Sequence, residues 1–147
     1  MTAQRYFEDF TVGDRFKSPS RTLTDAHFMF FAGMTGDNHP IHHDEEYGKK
    51  TRYGGRLAHG LLLVSMMTGM APISAQAVVA LYGFEKIRFV KPVLLGDTIT
   101  YTSKIAALEP KGDGRGVADV EFQICNQHNA VCVAGTIKLL LHKTPRS

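Results

Sequence analysis

His59-Gly60-Leu61-Leu62-Leu63-Val64-Ser65-Met66-Met67-Thr68-Gly69-Met70 opens a run, residues 60–81, that holds no charged side chain. How this run is read decides the fold. A bilayer-spanning helix needs about 20 consecutive apolar residues, and the run is long enough. Yet Ser65, Thr68, Gly69, Pro72, Ser74 and Gln76 interrupt it, and Pro72 would break an interior helical hydrogen bond. A helix over 60–70, apolar nearly all round and wrapped by the other elements of its domain, accounts for the pattern better than a membrane span.

Toward the amino terminus the chain reads as loops and short helices. Thr24 is a good N-cap, and Phe28, Phe31, Ala32 and Thr35 fall at i, i+3, i+4 and i+7 before Gly36 stops the helix. Asp44 is placed to cap a further helical turn through Tyr47, and Tyr53-Gly54-Gly55 then breaks it. Toward the carboxyl terminus, from residue 82, the period changes to two. Ile87 and Phe89 oppose Lys86 and Arg88; Ile99, Tyr101, Ser103 and Ile105 oppose Thr98, Thr100, Thr102 and Lys104; Ala118, Val120, Phe122 and Ile124 share a face. Residues 126–129 read as a turn into Val131, Val133, Ile137, Leu139 and Leu141. With a first strand over 15–23, the expectation is a single α+β domain spanning 1–147: an antiparallel sheet of about five strands beside one long buried helix.

The 147 residues are 44% hydrophobic, enough for one proper core. Seventeen basic against 14 acidic residues give a net charge of +3 with no arginine-lysine run, which argues against a nucleic-acid binder and suits a small anionic ligand. Cys125 and Cys132 lie in strand-like sequence and read as buried small hydrophobes. The first ten residues mix charges with aromatics and lack the apolar core of a secretory signal. A cytoplasmic protein is expected, with no membrane and no nucleic-acid partner.

The densest polar constellation is Thr35-Gly36-Asp37-Asn38-His39-Pro40-Ile41-His42-His43-Asp44. An ordinary turn needs the glycine, asparagine and proline, but not three histidines. Asp37 and His42 flank the bend at Pro40, and a carboxylate beside an imidazole can hold and release a proton near neutral pH. His39, His42, His43 and Asp44 are also metal-ligand types, but adjacent His42 and His43 do not readily face one ion and the i, i+4 zinc pair is absent, so no metal is expected. His59-Gly60 opens the apolar helix, where free amide N–H groups and a missing side chain suit an oxyanion. Ser65 and Thr68 lie on the same helix.

The stretch Phe31-Ala32-Gly33-Met34-Thr35-Gly36-Asp37-Asn38-His39-Pro40-Ile41-His42, followed by His59-Gly60, resembles the hydratase signature of MaoC-like dehydratases and (R)-specific enoyl-CoA hydratases. The resemblance extends to Val12-Gly13-Asp14, to Arg21-Thr22-Leu23-Thr24 and to Phe89-Val90-Lys91-Pro92-Val93-Leu94-Leu95-Gly96-Asp97-Thr98. It implies a hot-dog fold, a curled sheet around one long central helix, in a hydratase or dehydratase of acyl thioesters. It further implies that Asp37 and His42 are the catalytic pair and that the Gly60 amide donates to the thioester oxygen. Thr68 falls where some members carry an active-site serine. No cofactor is implied, because coenzyme A belongs to the substrate. Members often place asparagine directly before the proline; this chain has His39 there and Asn38 one residue earlier.

Asn38, His39, His59, Ser65 and Thr68 are accordingly candidates to contact substrate. Lys49, Lys50, Arg52, Arg56, Lys86, Arg88 and Lys91 are candidates for the polyanionic coenzyme, with Arg56 and Arg88 preferred. A thioesterase of the same fold and a non-catalytic acyl-CoA-binding partner subunit are the alternatives. The first is disfavoured because 59–83 holds no Asp or Glu. The second is disfavoured because both Asp37 and His42 are present. Sheet edges and an apolar helix face call for self-association, a homodimer or dimer of dimers, and the resemblance puts the active site at the protomer boundary.

Overall fold

A computed structural model describes residues 5–71, 73 and 76–144. Pro72 and Ser74, expected to interrupt the helix, lie outside the described residues. Six strands form one antiparallel sheet: β1 (Arg15–Lys17), β2 (Arg21–Thr22), β3 (Val78–Phe89), β4 (Thr98–Lys111), β5 (Arg115–Cys125) and β6 (Val131–His142). The order is β1-β4-β5-β6-β3, with β2 also paired to β4. Among the described residues a 3-10 turn (Phe7–Asp9) and four α-helices precede β3: α1 (Asp25–Thr35), α2 (Pro40–His43), α3 (Glu45–Lys50) and α4 (Gly60–Met70). No helix among the described residues is long and apolar enough to cross a membrane.

Alternation builds the middle of the sheet as expected. Ile99, Tyr101, Ser103 and Ile105 of β4 and Ala118, Val120, Phe122 and Ile124 of β5 are buried. All but Ser103 join Leu62, Leu63, Val64 and Met67 of α4 in one core cluster, to which α1 adds Phe28 and Phe31. Burying four such side chains of a single helix stabilises the fold by about 1.5–3 kcal/mol each relative to exposure. Helix α1 starts where Thr24 N–H donates to His27 Nδ1 at 3.0 Å. It ends at Gly36, whose φ of 78° is the left-handed conformation that closes helices.

Several expectations need correction. The sheet has six strands rather than five, because the stretch read as one first strand is two short ones, β1 and β2, that pair with different parts of β4. The apolar helix α4 covers the expected 60–70 and has 11 residues, the same length as α1. Helix α3 runs to Lys50, past Tyr47. Strand β3 begins at Val78 rather than 82, and its alternation fails: Phe89 is 54% exposed instead of sharing a buried face with Ile87. The cause is local. Between Glu85 and Arg88 the strand spends one residue more than β6 does opposite, and Lys86 takes a φ of 51°. Such a bulge reverses the facing of the residues after it, and it turns Phe89 toward the start of α4.

The loop between α3 and α4 is held by a close backbone approach. A side chain at Gly48 would put its Cβ 2.7 Å from the Gly55 carbonyl carbon and 2.9 Å from the Arg56 nitrogen. Backbone cannot rotate aside as a side chain can. Gly48→Ala is therefore expected to destabilise by about 1–3 kcal/mol, read as a lower thermal midpoint. Gly69→Ala on α4, where nothing among the described residues lies within 4 Å of the new Cβ, should not lower it. Equal midpoints for parent and Gly48→Ala would contradict this packing.

Candidate active site

Asp37 is the first residue beyond the Gly36 cap, so the end of α1 sets where its carboxylate sits. His42 is on α2, a single turn begun by Pro40. The turn brings His42 Nε2 to 3.9 Å from Asp37 Oδ2. That is too long for a direct hydrogen bond and suits a shared water. The other ring nitrogen, Nδ1, lies 2.6 Å from the Leu57 carbonyl oxygen. A carbonyl only accepts, so Nδ1 carries the proton. In the neutral ring Nε2 then presents a lone pair toward Asp37.

The segment before α4 completes the site. Leu57 N–H donates to the Ile41 carbonyl at 3.0 Å and Ala58 N–H to that of Val93 at 2.8 Å. His59 follows, 2% exposed. Its Nε2 donates to the backbone carbonyl of Asp37 at 3.0 Å, and its ring stacks on His42 at 3.6 Å between centroids and 21° between planes. Phe31 also packs against the ring, at 5.0 Å. Gly60 is the first residue of α4, where amides precede the helix's own hydrogen-bond ladder.

These groups line a cleft of about 570 Å³ whose walls include Phe31, Thr35, Leu57, Phe89 and Val93, a volume that suits a small-molecule site. Asp37, His42, His59 and Gly60 are thus brought together. Asn38 and His39 are not on the lining. Asn38 bonds back to the Gly36 carbonyl at 3.3 Å and accepts from His43 Nε2 through its own carbonyl. His39 Nδ1 accepts from Ile41 N–H and caps α2. Ser65 is exposed, and its carbonyl accepts from the Thr68 hydroxyl at 2.7 Å. Thr68 lines a separate cavity of about 150 Å³ beside Met67, Tyr101 and Leu139.

The preferred cationic pair lies off the cleft lining. Arg56 Nη2 is bound to Asp25 at 2.6 Å and its Nε to the His42 carbonyl at 2.9 Å, with the side chain 11% exposed. It ties α1 to α2 and is not on the lining. Arg88 is exposed and off the cleft lining, with Nη1 on the Ile87 carbonyl. The cations that do line the cleft are Arg52 and Lys91, which charge counting could not rank above the others. Among the described residues, metal-ligand types converge only as Asp37, His42 and His59. Stacked rings direct their lone pairs in parallel rather than at one ion, a poor arrangement for tetrahedral coordination.

The fold matches a known class of proteins. A Mycobacterium tuberculosis protein with a double hot-dog fold, 22% identical, superposes with a TM-score of 0.87 over 98% of this chain and 46% of that one. The structure of a MaoC-like dehydratase from Rhodospirillum rubrum, 25% identical, superposes with a TM-score of 0.86 over 97% of this chain and 99% of that one. This is a hot-dog fold. The family described as the MaoC like domain matches residues 9–124, and the chain belongs to that family. An (R)-specific enoyl-CoA hydratase of Rhodospirillum rubrum is 31% identical over 106 residues, 72% of this chain and 73% of that protein. The protein MaoC of Klebsiella aerogenes is 38% identical over 97 residues, 65% of this chain but 29% of that protein.

Burial, first, holds the proton affinity of His42 below the ordinary imidazole value of 6.5; His59 and His39 add to the lowering, while the Leu57 carbonyl and Asp37 oppose it. Between the folded value and 6.5 the unfolded chain binds a proton that the folded chain does not. Stability should therefore fall as pH drops through that window, while His42 contributes no slope above or below it. Urea unfolding of the parent and of His42→Gln between about pH 7.5 and 5 measures the difference. A parent that gains stability relative to the variant on acidification would contradict the assignment.

Proposed function

We propose that this MaoC-like domain is a hydro-lyase that adds water across the double bond of a 2-enoyl thioester, or removes it from the 3-hydroxyacyl form. The observation that carries this reading is the 3.9 Å gap between His42 Nε2 and Asp37 Oδ2 in the same cleft as the first amides of α4. A water between the two groups meets a lone pair on neutral His42 and a carboxylate on Asp37. Its oxygen bonds to Cβ, its proton passes to the pair, and the Cα–Cβ electron pair moves toward the thioester oxygen. The pair then returns one proton to Cα. The Gly60 amide stabilises the charge on that oxygen, an effect of about 2.7–4 kcal/mol for one donor.

Coenzyme A as the carrier is supported by Arg52 and Lys91 on the cleft wall. Asp37, beyond the end of α1, is the one carboxylate on the cleft lining among the described residues, and α4 offers none of the kind a thioesterase of this fold would use to activate water at the carbonyl carbon. Hydration of crotonyl-CoA, followed by loss of its enoyl absorbance alongside free thiol, tests this directly. Asp37→Asn and His42→Ala should each lower kcat/KM by at least about 100-fold with folding retained. Thiol release at the rate of enoyl loss, or either variant near parental turnover, would count against hydration by this pair.

Gly60 has a neighbour that a test of its role must include. A Cβ there would lie 2.7 Å from Cε1 of Phe89, so Gly60→Ala displaces that ring as well as crowding the thioester. Adding Phe89→Ala makes room. With a thioester oxygen on the Gly60 amide, kcat should stay low in the double variant, because the oxygen remains displaced. A double variant with parental kcat would reduce Gly60 to a packing role.

A homodimer is supported by β3, a 12-residue strand at the end of the sheet order. It carries exposed Leu81, Tyr82 and Phe89, with exposed Val90 next to it. Edge strands with exposed apolar side chains need covering, and Phe89 and Val90 also line the cleft. Light scattering at micromolar concentration should give twice the chain mass or a multiple of it; a monomer would contradict the proposal.

A further inference from the structure

Asp37, His42 and Gly60 each have a task in the proposed hydration, whereas His59, the most buried polar group of the cleft, has none. We propose, on the hydratase reading above, that His59 is a positioning residue. It clamps Asp37 and His42 to the start of α4, so that carboxylate, imidazole and oxyanion donor are held as one unit.

Three contacts support the clamp. The Nε2–H of His59 reaches the Asp37 carbonyl at 3.0 Å. The Asp37 carboxylate is 54% exposed, so its position is set through its backbone, where a longer bond also runs from Asp37 N–H to Thr35 Oγ1 at 3.3 Å. The His59 ring covers one face of His42 at 3.6 Å, while the Leu57 carbonyl holds the Nδ1 edge. A face and an edge together define where Nε2 points. The next residue along the chain is Gly60, so any movement of His59 moves the first amide of α4 with it.

Packing alone does not call for a histidine here. The ring sits beside Phe31 at 5.0 Å and Phe28 at 6.2 Å, surroundings that a phenyl ring would fill. Its Nδ1 is buried and has no hydrogen-bond partner among the described residues, a cost that phenylalanine would not carry. The Nε2–H is what histidine adds.

Two variants separate the parts of the clamp. His59→Phe keeps a stacked ring and loses the donor; His59→Gln keeps an N–H near the same place and loses the ring. The groups facing His42 are Asp37, His39 and His59, with Arg56 on its carbonyl and Asp25 behind Arg56. Arg52, Tyr53 and Lys91 line the same cleft. Three readouts are taken: steady-state kinetics on crotonyl-CoA, the thermal midpoint, and the NMR titration of the His42 imidazole. His59→Phe should lower kcat by about 10–100-fold, the cost of a small misplacement, with KM little changed and the midpoint no lower. His59→Gln should keep more of kcat and move the His42 titration to higher pH, because the ring that shields it is gone. Parental kcat in His59→Phe would overturn the clamp. So would a lost kcat accompanied by a lowered midpoint in both variants and an unmoved titration, the signature of packing alone. A parent that hydrates no thioester would instead remove the hydratase reading. The clamp would then stand or fall on the His42 titration, and an unmoved value in both variants would overturn it.

Discussion

One hydrogen bond, from His59 Nε2–H to the Asp37 carbonyl, joins the two halves of the site across 22 residues of chain. On one side is the end of α1, stopped by the left-handed Gly36; on the other is the first turn of α4. Neither α1 nor α4 would bring a carboxylate within reach of an imidazole by itself. Their mutual packing does so, and His42 is added because α2 is folded back until its ring meets both His59 and the Leu57 carbonyl. The site is thus a junction of three element ends, held by backbone acceptors that no side-chain substitution removes. Preorganised donors and acceptors of this kind need no rearrangement when charge develops.

The sheet contributes shape rather than chemistry. Regular alternation along β4 and β5 builds the floor of the core against α4, whereas β3, whose end reaches the cleft, departs from it. β3 changes register against β6 at three places. The last change, around Lys86, turns Phe89 out of the core and against Gly60. Bulges at the rim of a sheet commonly re-aim a side chain next to a binding site. Here the re-aimed ring occupies the space that a side chain at position 60 would need, which ties the glycine to the strand.

Much of this was legible in the residues. The cap at Thr24, the stop at Gly36, the start of α4 at Gly60 and the alternation of β4 and β5 all follow from local patterns, and each falls where the pattern puts it. Asp37, His42 and Gly60 converge on one cleft, as their residue types and the family signature implied. What was not legible depends on contacts made by backbone or over long separations. The Leu57 carbonyl leaves no trace in a side-chain pattern. Arg56 looks like any surface cation until Asp25, 31 residues away, is seen to hold it. The extra residue near Lys86 is invisible to a period-two reading, because a bulge changes the count on one strand only. His59 was visible as a polar residue at a helix start, but its burial between Phe31 and His42 comes from the packing of α1 on α4.

In the proposed hydration the start of α4 meets the thioester oxygen while Asp37 and His42 hold the water. Infrared difference spectroscopy of crotonyl-CoA carrying a ¹³C-labelled thioester carbonyl, bound to the slow Asp37→Asn variant, reports on that oxygen alone. With the Gly60 amide donating to it, the labelled band should lie at lower wavenumber than for the same thioester in water, and Gly60→Ala in the Asp37→Asn background should return it toward the solution value. A band that binding leaves unshifted, or one that Gly60→Ala leaves where it was, would contradict the account.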